Sequence, residues 1–110
     1  MSKAEYWQRG EVIDFTNSTE AKIEANEIVV FGKRLGVAGT PIEVGETGSL
    51  HVFGVFEMPK AKSEAITEGA TVYYDAEAGA ITATAGDITA GYATEAAAAA
   101  DTTVKVKLLG

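Results

Sequence analysis

The stretch from Gly45 to Lys60, GETGSLHVFGVFEMPK, constrains the fold more than any other part of the chain. It opens on a Gly-Glu-Thr-Gly turn signal, continues for about ten residues dominated by apolar types, and stops at Pro59. Laid out as an extended strand, Leu50, Val52, Phe56 and Met58 fall on one face, and His51, Phe53, Val55 and Glu57 on the other. Both faces are partly apolar, so the strand is expected to be covered on both sides, at least in its middle. Gly54, at its centre, marks a bend, a bulge or a close backbone approach. No reactive group stands out, and the stretch reads as the spine of a small β domain.

The rest of the chain is compatible with that spine. Val, Ile, Thr and aromatic residues make up 38 of 110 positions, which favours strands, and 12 glycines supply turns. The hydrophobic fraction of 46% includes 19 alanines, leaving 32 larger apolar side chains. A chain of this length forms one domain and can bury roughly two-thirds of its unfolded surface without staples. There is no cysteine, so disulfides and thiolate metal sites are excluded. No apolar run reaches the roughly 18 residues of a membrane span, and MSKAEYWQRGE lacks the apolar core of a signal peptide. Synthesis and residence in a cytoplasm, or assembly into something there, is the expectation. The net charge of −7, with scattered basic residues, argues against a nucleic-acid partner.

Along the chain, residues 1–10 read as a flexible N-terminal arm and 11–110 as a single β domain. The alternative is a first strand packed through Tyr6 and Trp7. Glu11–Thr16 alternates as a strand, and Ile28–Phe31 and Leu35–Ala38 form a hairpin around Gly32-Lys33-Arg34. Lys60–Glu68 is the one helical candidate, a single turn capped by Ser63. Thr71–Asp75, Ala80–Thr84 and Ile88–Glu95 read as strands. The five alanines from Ala96 to Ala100 read as a loop, with helix as the alternative, because the run is short and lies between strands. Thr102–Leu109 alternates cleanly, Val104, Val106 and Leu108 against Lys105 and Lys107. A faint repeat pairs Ile23, Asn26 and Val29–Phe31 with Ile66, Gly69 and Val72–Tyr74, and Gly36–Ala38 with Gly91–Ala93. It continues as Leu50–Val52 with Val104–Val106, the second copy carrying about a dozen extra residues near Ala80–Asp87. The fold class is therefore all-β: a small sandwich or barrel of about eight short strands joined by tight turns, with at most one short helix near 60–68.

A search for chemistry finds little. With no Cys, His51 is the only imidazole, and a lone His within a strand is expected to be packed or interfacial rather than catalytic or metal-bound. The pairs Glu43/Glu46 and Asp75/Glu77 flank turns and do not form a calcium loop. Gly32-Lys33 is the only Gly-Lys pair, and it lacks both the upstream glycine and the downstream Ser or Thr of a phosphate loop. No cofactor and no catalytic residue is expected, which favours a structural or binding protein.

Gly36-Val37-Ala38, Gly45-Glu46-Thr47-Gly48 and the run Gly54-Val55-Phe56-Glu57-Met58-Pro59-Lys60 resemble the capsid cement (head decoration) proteins of tailed bacteriophages. The resemblance continues through Glu68-Gly69-Ala70-x-Val72-Tyr73-Tyr74-Asp75 and Gly91-Tyr92-Ala93, and closes with the alanine-rich segment before Val104–Leu108. Such sequences also carry a RecA/RadA recombinase label, which the missing phosphate loop and the short chain oppose. The resemblance implies a non-enzymatic virion protein on the capsid exterior that binds the major capsid protein and stabilises the head. It also implies a homo-oligomer, a trimer being favoured, with no membrane partner, and a virion or prophage source. A β-rich binding or adaptor module of the virion is the alternative. Tyr6, Trp7 and Arg9 are the candidate capsid-binding arm, and His51, Phe53 and Val55 the candidate subunit interface.

Overall fold

The computed structural model describes residues 2–109, so Met1 of the arm and Gly110 of the domain lie outside the described residues. It contains nine strands and, among the described residues, no helix. They are β1 (Val12–Thr16), β2 (Ile28–Phe31), β3 (Arg34–Ala38), β4 (Thr47–His51), β5 (Phe53–Pro59), β6 (Thr71–Asp75), β7 (Ala80–Thr82), β8 (Thr89–Ala93) and β9 (Thr103–Leu109). Two antiparallel sheets form, ordered β1-β4-β3-β2 and β5-β9-β8-β6-β7, as a small sandwich requires.

The spine is not one strand. It breaks at Val52, so that β4 lies in the first sheet and β5 in the second. The alternation survives the break, with Leu50, Val52 and Met58 all buried and Phe56 packed against the core. Gly54 sits just after the break at φ +130°, a backbone conformation that side chains disfavour, and supplies the bend.

The two sheets are two copies of one unit, and the faint repeat in the sequence is this duplication. β1, β4, β3 and β2 correspond in order to β5, β9, β8 and β6, and β7 is the addition. Ile23 bridges Ile42 as Ile66 bridges Ala97. The Asn26 amide donates to Ala38 O at 2.8 Å, as the Gly69 amide donates to Ala93 O at 2.8 Å. Asn26 and Gly69 share positive φ, 70° and 81°. The last part of the alignment needs correction. Ala38 pairs with Leu50 and Ala93 with Val106, so Leu50-His51 matches Val106-Lys107 rather than Val104-Lys105. A two-residue slip preserves alternation, so sequence pattern alone does not detect it.

The expected helical turn after Pro59 is absent. Lys60 is buried, and its Nζ donates to the carbonyls of Ala61, Glu64 and Ala99. The first two are carbonyls a helix would use for its own ladder, and Ser63 takes a φ of +59° instead. In the first copy the position of Lys60 is held by Asn17, also buried. Its Nδ2 donates to Ala21 O and Ile42 O, and its Oδ1 accepts from the Thr19 amide and hydroxyl. Ala21 and Glu64 are equivalent too, so both polar plugs pin the same loop at the same place. The alanine run is a loop, with Ala97 buried beneath it. Lys22 ties two loops together, lying 3.7 Å from Glu24 and 3.4 Å from Glu43. The two carboxylates, Glu24 foremost, raise its pKa.

Candidate interaction surface

The described residues contain no group of three or more His, Cys, Asp or Glu placed to hold a metal ion. The turn acids serve their own turns. Glu46 Oε1 accepts from the Glu43 amide, and Asp75 Oδ1 accepts from the amides of Glu77 and Ala78. The groove beside β6 and β7 carries Glu64, Asp75, Glu77 and Asp87. Glu64 is engaged there by the Thr82 hydroxyl and the Ala83 amide. Tyr74 lines the same groove, and burial, with Asp75 adding to it, raises its pKa. These groups brace the added hairpin.

The surface is more informative. Residues 2–10 form no strand, and in this segment Tyr6 is 86% and Trp7 87% exposed. Aromatic rings this exposed make the segment a candidate contact surface. Arg9 lies on the same exposed segment, next to the start of β1.

A second exposed apolar surface lies on the second sheet. Alternation along β5 and β9 turns Met58, Val104, Val106 and Leu108 into the core and leaves Phe53, Val55 and Leu109 outside. The register places Phe53 opposite Leu109, Val55 opposite Lys107, and Lys107 opposite Tyr92. Lys107 Nζ stands 3.9 Å above the Phe53 ring, a cation–π contact worth about 0.5–1 kcal/mol at an exposed site. Lys105 and Glu95, 3.5 Å apart, flank the patch. β5 is the edge strand of its sheet, so its outer backbone groups are free of sheet pairing.

Of the residues singled out from sequence, the structure brings Phe53 and Val55 onto one exposed face. His51 does not join them. It lies on β4 in the other sheet, half-buried, with its ring 6.2 Å from that of Phe56 and tilted by 45°. Tyr92, Lys107 and Leu109 complete the patch and were not singled out. Alternation along Thr102–Leu109 shows which residues face outward, but only the pairing of β9 with β5 sets Leu109 beside Phe53.

A family model described as phage cement protein matches residues 7–108. No curated protein and no solved structure matches the chain significantly.

Proposed function

The chain belongs to the phage cement protein family, and from that premise we propose that it binds the outside of a phage head and stabilises the shell. Its partner in this reading is the major capsid protein. It acts as a homo-oligomer, a trimer being favoured, so that several modest contacts combine by avidity. The supporting observation is the pairing of a β body, helix-free among the described residues, with a strandless N-terminal segment that exposes Tyr6 and Trp7 beside Arg9. The body resists outward strain, and the arm orders on the capsid, adding its backbone to an exposed sheet edge and seating its aromatic rings as anchors.

Co-sedimentation with undecorated heads tests this. Removal of residues 1–9 is expected to leave the melting temperature within about 2 °C, since residues 2–9 are all exposed. It should weaken head binding at least about 30-fold, the equivalent of one aromatic hot spot. Unchanged binding by the truncated chain sinks the arm's role. No binding by the intact chain sinks the proposed function.

Oligomerisation is assigned to the face carrying Phe53 and Val55. Val55→Glu places a charge on an exposed strand position and should leave the fold intact while light scattering reports monomers. A persistent oligomer of wild-type mass excludes this face.

A further inference from the structure

The duplicated halves do not pack as mirror partners. Ile28, Val37, His51 and Val12 form one row across the outer face of the first sheet. Val37 and Ile28 from that row, with Leu35, belong to the apolar cluster that holds Phe56, Met58, Val72, Tyr74, Val106 and Leu108 from the inner face of the second sheet. His51 leans on Phe56 in the same seam. The outer face of one copy of the unit thus covers the inner face of the other.

A contact between non-equivalent faces leaves one of each unused. The row of the second sheet equivalent to Ile28–Val37–His51–Val12 is Thr71–Tyr92–Lys107–Val55. It is exposed to half-buried and is flanked by the exposed Phe53 and Leu109. The first-sheet residues equivalent to Phe56, Met58 and Tyr74 are Ile13, Phe15 and Phe31. They pack on the first half's own core and stay half-buried, as Phe56 and Tyr74 do, but Phe15 lacks the cover that leaves its equivalent Met58 only 1% exposed.

We propose that a second copy of this chain seats its Val55–Lys107–Tyr92 row, with Phe53 and Leu109, on the Ile13–Phe15–Phe31 face of the first, repeating between chains the contact the halves make within one. Tyr92 takes the place of Val37 and Lys107 that of His51. Each chain offers one face of each kind, so the contact is head-to-tail, and the trimer of the proposed function requires it to close into a ring. This deepens the assembly part of the proposed function and names its two surfaces.

The chain has no cysteine, so introduced thiols are unique. Single variants Tyr92→Cys and Phe15→Cys are mixed and mildly oxidised, with non-reducing gels and native mass spectrometry as readouts. Neither variant alone should cross-link, and the mixture should give a covalent dimer of one of each. The double variant should give a ladder that ends at the ring size. Ile13→Cys replaces Phe15→Cys if circular dichroism shows that variant unfolded. An oligomer by sedimentation that forms no mixed disulfide overturns the surfaces while leaving assembly standing. A wild-type monomer at about millimolar concentration overturns assembly itself. Covalent homodimers of Tyr92→Cys alone overturn the head-to-tail geometry.

Discussion

Gly91→Ala is expected to cost about 3–5 kcal/mol, a large part of the stability of a domain this size. A Cβ at Gly91 would lie 1.9 Å from Lys107 O, 2.9 Å from its carbonyl carbon and 3.3 Å from Leu108 Cα. All three are backbone atoms of β9, held by pairing to β5 on the other side, so they cannot yield without parting β8 from β9. The equivalent glycine of the first half offers an internal control. A Cβ at Gly36 would meet Leu50 Cγ at 2.6 Å and Cδ2 at 2.8 Å, atoms of a buried side chain that must repack but belong to no strand ladder, and the nearest backbone atom is His51 O at 3.1 Å. Gly36→Ala should therefore lose less than Gly91→Ala. Urea midpoints of the two variants check the order, and a Gly91→Ala midpoint equal to that of the wild type would overturn the account.

That close approach shows how unevenly the fold is written in the sequence. The hairpin of β2 and β3 and the alternation of β9 are local, and the chain states them openly through Ile28–Ala38 and Val104–Leu108. The exchange of sheets at Val52 is hidden, because the buried side of Leu50, Val52 and Met58 keeps its parity through the break. The absent helix after Pro59 is hidden for a different reason. Lys, Ala, Ser and Glu suit a helical turn, and only tertiary burial of Lys60 diverts the carbonyls of Ala61 and Glu64. Of the candidate interaction surface, Phe53 and Val55 are legible as apolar residues on the irregular face of their strand. Tyr92 and Lys107 join them only through long-range register, which residue spacing does not encode. Asn17 and Lys60 are hardest to read, since polar types default to the surface. Their one signal is that they occupy equivalent places in a repeat too faint to align at that point.

Lys60→Met should cost about 2–4 kcal/mol, the second large effect. Two terms oppose each other. Burying an amine among backbone atoms carries a desolvation cost, and among the described residues no carboxylate lies within ion-pair distance of Lys60 to offset it. Methionine removes that cost and keeps most of the volume. It also strips a donor from each of three carbonyls: Ala61 O at 2.7 Å, Ala99 O at 3.4 Å, and the closer Glu64 O. Hydrogen bonds from a cationic donor contribute about 1.5–3 kcal/mol each, and the three carbonyls, which are only partly buried, recover some of that from water. The loss outweighs the relief, because the carbonyls belong to two loops, 60–70 and 94–102, that are held by isolated backbone bonds such as the Ile66–Ala97 bridge rather than by a continuous strand ladder. Asn17→Ala removes the equivalent plug and should destabilise in the same direction, its amide having two carbonyl partners of its own. Chemical denaturation of both variants checks the prediction. A Lys60→Met protein as stable as the wild type would mean that desolvation of the amine cancels its bonds, leaving burial of the stem as the part that holds the loop.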